Sequence, residues 1–175
     1  MSENILVAVA WPYANSQIHV GNITGSYLPA DIFARYHRLA GDNVLMVSGT
    51  DAHGTPVTVR ADAEGTTPLA VYEQFHAGFL ELFQKLGLTY DLFSSTHTTN
   101  HFRVAQTVFK SLLKNDYLYP EKKVHWFAPT QNRFLPDRYV EGTCYICGYE
   151  SARGDQCDNC GNLLDATEII SPRSK

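Results

Sequence analysis

No cysteine occurs before position 144, so no disulfide can staple the first 143 residues, which must cohere by packing alone. The start, Met1-Ser2-Glu3-Asn4, has no basic segment, and the apolar run Ile5-Leu6-Val7-Ala8-Val9-Ala10-Trp11 is short and stops at Pro12. These features exclude a signal peptide and a membrane-spanning helix here, so the expected location is the cytoplasm, with no membrane partner. An excess of positive charge is also missing. The formal net charge is -4 and the pI about 5.9, and the pair Lys122–Lys123 is the only local basic patch. Such a chain is no general phosphate binder. There are no internal repeats and no low-complexity stretch.

What is present is the composition of a globular protein: 44% hydrophobic, 18% charged and 12% aromatic residues over 175 positions. A chain of this length buries roughly 70% of its unfolded surface, enough for a real core. The run from Ile5 to Trp11 predicts a strand buried on both faces. A helical pattern follows, with Leu28, Ile32, Phe33, Tyr36 and Leu39 on one side and Arg35 and Arg38 on the other. Pro29 predicts a kink or a helix start, and Gly41 a helix end. Val44-Leu45-Met46-Val47 reads as a second buried strand, leading into Ser48-Gly49-Thr50-Asp51. Two further helices carry Leu69, Tyr72, Phe75, Phe79, Leu82, Phe83 and Leu86, and then Phe102, Ala105, Phe109, Leu112 and Leu113. Asp91-Leu92-Phe93-Ser94-Ser95 fits a third strand between them. Alternating strands and helices predict an α/β fold with a parallel sheet, whose ligands bind at the carboxyl ends of the strands. From about Tyr117 the character changes, with a short strand expected at Val124-His125-Trp126-Phe127. The expected division is 1–116 and 117–175.

Three groups of residues carry chemistry. Cys144-x2-Cys147 and Cys157-x2-Cys160, each followed by a glycine (Gly148, Gly161), suit two tight knuckles around one tetrahedral ion. Zinc fits best, in a structural role because no coordination position stays open; two disulfides, free thiols or iron are the alternatives. The loop Pro12 to Asn22 sets His19 and Asn22 around Gly21 at an expected helix start, where an imidazole and free N–H groups can meet an anion. On chemistry alone the same segment more often reads as a plain polar loop. Asp51, expected at the end of the second strand, faces the same crevice and can hold an ammonium group or a ribose hydroxyl. The other reading is that Asp51 or Thr55 caps the next helix.

Pro12 to Asn22 resembles the HIGH region of class I aminoacyl-tRNA synthetases, in the wording of the methionyl-tRNA synthetase family. Tyr36-x-Arg38-Leu39-x-Gly41, Gly49-Thr50-Asp51-Ala52-His53-Gly54-Thr55-Pro56 and Phe134-Leu135-Pro136-Asp137-Arg138-Tyr139-Val140-x-Gly142-Thr143-Cys144 resemble the same family in the same order. The likeness runs from Ile5 to Ser174. It implies the first half of a Rossmann-type catalytic domain (1–116) joined to a connective insertion with a zinc knuckle (117–175). It further implies that His19, Gly21 and Asn22 act on the phosphates of ATP, which enters with Mg²⁺ as a substrate. Ala10, Trp11, Pro12 and Tyr13 then line a methionine pocket, and Asp51 holds the methionine amino group. The implied reaction joins methionine to ATP as methionyl-adenylate and then charges tRNA(Met). One structural Zn²⁺ on Cys144, Cys147, Cys157 and Cys160 completes the picture.

Asn22 stands where the pattern has histidine, and Trp11 where many members have leucine. Ser174 follows Arg173 where members with two knuckles have another cysteine. The family's KMSKS loop, second sheet half and anticodon domain have no counterpart in 175 residues. The chain therefore reads as a fragment, a truncated paralogue or one piece of a split enzyme completed in trans. Two rival readings stand beside it: a non-catalytic zinc-containing binding module, and a synthetase of the isoleucine, leucine or valine group.

Overall fold

A computed structural model describes residues 2–174, and the chain divides into two compact units between Tyr117 and Leu118. In the first unit, β1 (Asn4–Ala8), β2 (Asn43–Thr50) and β3 (Leu92–Ser95) form a parallel sheet in the order β1-β2-β3. The register runs Asn4↔Asn43 to Ala8↔Val47 and Val47↔Leu92 to Thr50↔Ser95. β1 is shorter than the apolar run predicts. One more ladder bond, from Val9 N–H to the Val47 carbonyl, extends it, and then the chain leaves the sheet ahead of Pro12, which has no N–H to offer. Nor is β1 buried on both faces: it is an edge strand, and Leu6 is 65% exposed. β2, flanked on both sides, buries Met46, Ser48, Gly49 and Thr50.

Between β1 and β2 the backbone coils almost without a break, through α1 (Val20–Asn22), a π-helical stretch (Ile23–Tyr27) and α2 (Leu28–Ala40). Pro29 sits in the first turn of α2, directly after the π-helical stretch, and Gly41 ends the helix at φ 95°. The face of α2 turned inward is the reverse of the sequence reading. Asp31 and Ala34 are buried, whereas Ile32 and Leu39 are 64% and 89% exposed. Ion pairing outweighs apolar patterning here. The Asp31 carboxylate accepts from the Thr89 N–H (2.6 Å), the Thr89 hydroxyl (2.5 Å) and Arg35 Nε (2.6 Å). Arg35 also donates to the Gly87 carbonyl. Arg38 donates to Thr89 Oγ1 (2.7 Å) and Asp91 (2.7 Å), and Asp91 in turn accepts the Met46 N–H (2.7 Å). The motif Tyr36-x-Arg38-Leu39-x-Gly41 thus ties α2 to the segment that leads into β3 and, through Asp91, to the middle of β2.

α3 (Thr55–Glu64) has too little apolar periodicity to be read from sequence, and only Val57 and Ala61 are buried. Its N-cap is Gly54, with no side-chain cap, so neither Asp51 nor Thr55 caps it. α4 (Pro68–Lys85) is capped by Thr67 Oγ1 on the Ala70 N–H and packs Val71, Phe75, Phe79 and Phe83 into the core, while Leu69 and Leu86 stay exposed. These side chains surround Met46, Tyr27, Val57 and Ala14. α5 (Thr99–Lys114) is amphipathic as predicted, yet none of its residues is buried.

The second unit pairs β4 (Phe127–Ala128) with β5 (Arg133–Phe134), and builds a sheet in the order β7-β6-β8 from β6 (Val140–Thr143), β7 (Ala152–Arg153) and β8 (Ile170–Ser174). Strand pairing starts only at Phe127, later than the expected run from Val124. Among the described residues, no helix is long and apolar enough to cross a membrane.

Candidate functional site

Parallel strands deliver the loops after β1 and β2 to one edge of the sheet, and backbone bonds stitch those loops together. Asp51 N–H donates to the Pro12 carbonyl (2.8 Å), Ala14 N–H donates to the Asp51 carbonyl (3.0 Å), and Tyr13 and Asp51 form a parallel bridge. Ser48, buried in β2, donates to the Val9 or Ala10 carbonyl (3.2 and 3.3 Å) and fixes the start of the loop. A cleft of about 320 Å³ opens there, lined by Ala10, Trp11, Pro12, Tyr13, His19 and Asn22, with Tyr27 and Phe79 deeper in. Gly21 and Asp51 flank this cleft rather than line it. Larger depressions, about 650 Å³ at the amino ends of β1 and β2 and about 450 Å³ in the second unit, involve none of these residues.

His19 is the N-cap of α1, in extended conformation. Its backbone N–H donates to Asn22 Oδ1 (3.2 Å), so the Asn22 amide is oriented and both Nδ2 protons remain for a ligand. Among the described residues the N–H groups of Val20 and Gly21 have no protein acceptor, which leaves two backbone donors beside the imidazole. Gly21 leaves room for that ring: a methyl group there would lie 3.0 and 3.1 Å from His19 Cε1 and Nδ1. The set can donate hydrogen bonds to an anion without carrying a fixed positive charge.

The opposite wall is Trp11, whose indole lies on Gly49 of β2 and 6.5 Å from the His101 ring. The sequence places Gly49 at the head of a motif and Ser48 just before it, but assigns neither a role of its own. A glycine inside an apolar strand does signal close approach of another group, and that signal was available at Gly49.

In the second unit, the Cys144, Cys147, Cys157 and Cys160 Sγ atoms all lie within 4.8 Å of one another, a group that can hold one metal ion. Both knuckles close through glycines with positive φ, Gly148 (76°) and Gly161 (72°), whose N–H groups donate to the Cys144 and Cys157 carbonyls. The Ile146 N–H points at Cys144 Sγ (3.4 Å). The Tyr149 N–H and the Asn159 amide hold the Cys147 thiol below its ordinary pKa, and Asn162 brings Cys160 down to about 6. Donors aimed at sulfur thus favour the thiolate at Cys147 and Cys160, whereas Cys157, despite the Cys160 N–H, is pushed up to about 11 by burial and the neighbouring thiols.

A parallel sheet with crossover helices and a donor-rich cleft at its carboxyl edge defines the α/β class that takes ligands at that edge. Within that class, the chain belongs to the family described as tRNA synthetases class I (M), whose profile matches residues 5–175. Among curated relatives, the methionine–tRNA ligase of Thermomicrobium roseum is 57% identical over 175 residues, covering 100% of this chain and 30% of the relative. That of Roseiflexus sp. is 59% identical over 174 residues, covering 99% and 29%. The chain thus spans about 30% of the length of the curated relatives it matches. Among solved structures, Mycobacterium tuberculosis methionyl-tRNA synthetase in complex with methionyl-adenylate aligns with a TM-score of 0.71 at 21% identity, covering 100% of this chain and 31% of that one. The Agrobacterium radiobacter leucyl enzyme, in a ternary complex with tRNA, aligns with a TM-score of 0.68 at 21% identity, covering 87% and 20%. Both show the same fold.

Proposed function

We propose that this chain is the N-terminal catalytic part of a methionine–tRNA ligase. Residues 1–116 act as the first half of the catalytic domain, and 117–175 as a connective insertion built on the knuckle. In the proposed reaction the methionine carboxylate attacks the α-phosphorus of ATP, bound with Mg²⁺. An oxygen–phosphorus bond forms, the bond to the β-phosphate oxygen breaks, and pyrophosphate leaves. A hydroxyl of the 3′-terminal ribose of tRNA(Met) then attacks the adenylate carbonyl; the ester bond forms, the bond to the phosphate oxygen breaks, and AMP leaves as the hydroxyl gives up its proton. Ala10, Trp11, Pro12 and Tyr13 would hold the methionine side chain, with Asp51 paired to its ammonium group. His19, the N–H groups beside Gly21 and the Asn22 amide would donate to oxygens on which negative charge grows. The observation that carries this reading is the pair of backbone bonds from Asp51 to Pro12 and Ala14, which bind the carboxylate's strand to the loop bearing His19.

Zinc suits the cysteine group. Zn–S bonds of about 2.3 Å in a tetrahedron need sulfurs about 3.8 Å apart. Cys147 and Cys157 Sγ stand at 3.6 Å. The ion would cross-link the knuckles and leave no position for a reacting water, so its role is structural. Thiols clustered as ligands, with none elsewhere in the sequence, support a cytoplasmic setting.

The test is methionine-dependent ATP–pyrophosphate exchange. The chain alone is expected to give none, because a doubly wound nucleotide site spans two halves of a sheet and the family's KMSKS lysines lie in the other half. Adding in trans the part that completes the length of the relatives should restore exchange. Robust exchange by the chain alone would refute the half-site reading. No exchange from the two folded parts together would refute the assignment of the reaction.

A further inference from the structure

Beneath the carboxyl end of β2 lies a contact that the proposed reaction does not use. Thr50, the last residue of β2, is completely buried, and its hydroxyl stands 2.7 Å from Nδ1 of His76 in α4. The imidazole is held flat, between the ring of Tyr72 (5.3 Å, planes at 26°) and that of Phe93 in β3 (6.2 Å, 21°). Burial pushes its pKa down, so the ring is neutral near pH 7. The titratable groups at this stack are Tyr72, on its own helix, and His97, which lies against Tyr72 after β3.

We infer that His76 is a positioning residue for the amino-acid site, acting through the Thr50 hydroxyl on Asp51. The inference rests on the reading of Asp51 as the ammonium partner. Thr50 is a crossing point: its carbonyl accepts the Thr96 N–H (3.0 Å), its side chain meets His76, and the next residue bonds to Pro12 and Ala14. A buried hydroxyl that loses its partner drives the backbone to relax until the group is satisfied again. The segment that would relax carries Asp51 and, through two backbone bonds, the loop that bears Trp11 and Tyr13. His76, which does not line the cleft, thereby sets the place of the carboxylate at its flank.

Hydrogen exchange and nitrogen NMR on this chain test the inference without requiring catalysis. Thr50→Val keeps the shape and removes the hydroxyl, and His76→Phe keeps the ring stack and removes the nitrogen. In each, the Asp51 and Ala14 amides should exchange about 10-fold faster or more, while the α4 amides of Phe79 and Phe83 keep their rates. His76→Asn, which returns a polar atom to the Nδ1 position, should restore slow exchange. In the unaltered chain, the His76 Nδ1 signal should be that of a hydrogen-bonded nitrogen, and it should move in Thr50→Val. Rates within about twofold of the parent at Asp51 and Ala14 would overturn the inference, as would equal acceleration throughout the unit. If both variants fail to fold, an unbonded Nδ1 signal in the parent overturns it alone. Methionine titration of Asp51→Asn is read separately: unchanged affinity there refutes the role given to Asp51 and leaves the His76–Thr50 coupling standing.

Discussion

Replacing Gly49 by alanine adds one methyl group at the most crowded point of the candidate site. The new carbon would lie 2.6 and 2.7 Å from two Trp11 ring atoms and 2.9 Å from the Ser94 carbonyl carbon. Carbon atoms pack at about 3.5–4.0 Å, so the indole must retreat by roughly 1 Å. Ser94 cannot give in the same way, because its backbone is registered against Gly49 in the sheet. Overpacking of this kind costs about 1–3 kcal/mol, and both the strand pair and the cleft wall would share it. Gly78→Ala is the internal control. That position lies within α4 with nothing inside 4 Å of an added methyl, so helix propensity should stabilise it by about 0.5–1 kcal/mol. Urea unfolding of both variants in a Trp126→Phe background measures stability and reports the environment of Trp11. Opposite signs are expected, with a shifted Trp11 emission in Gly49→Ala alone. A Gly49→Ala chain as stable as its parent, with unchanged emission, would refute the packing of Trp11 on β2.

In the assembled enzyme, His19→Ala should lower kcat by roughly 10²–10³ with little change in methionine KM, as for the loss of one transition-state donor; a rise in ATP KM at constant kcat would contradict this. About one Zn²⁺ per chain should be found by elemental analysis, and chelation should unfold the knuckle while far-UV signals of the parallel sheet persist, whereas global unfolding would contradict two independent units. Burial acts upward on the Asp31 carboxyl, yet the Thr89 hydroxyl, Arg35 and the Thr89 N–H together hold it below its ordinary value. The stability it contributes is therefore complete above the usual carboxylate pKa of about 4 and is lost as pH falls through the lower folded value. Asp31→Asn should lower stability near neutral pH and flatten the acid limb of the urea midpoint curve; an unchanged limb would exclude Asp31 as its source.

The parallel sheet was legible because β1 and β2 read as short apolar runs and α4 repeats its phenylalanines every four residues. The cysteine group was legible because its ligands are local: two residues separate each pair, and a glycine closes each turn. That the loops after β1 and β2 meet follows from strand direction alone. Contacts between residues distant in sequence were another matter. The inward face of α2 is chosen by Thr89 and Asp91, some fifty positions away, and no periodicity within the helix announces them. Ser48 and Gly49 gain their roles only when Ala10 and Trp11 are laid against them. α5 and α2 show the limit of amphipathic patterning, since an apolar stripe marks a face able to be covered without saying what covers it.

The network built on Arg38 has a consequence for mutational surveys. Thr89 and Asp91 lie in the segment that leads into β3, and Arg38 bonds to both, away from the cleft at the carboxyl ends of the strands. Removing Arg38 would leave Thr89 and Asp91 without their shared partner and loosen the anchorage of Met46, the buried centre of β2. Under the proposed function, a scan scored by aminoacylation alone would rank such a variant with substitutions of His19 or Asp51. Soluble yield, measured alongside turnover, separates a residue that keeps the folded chain in existence from one proposed to act in the reaction.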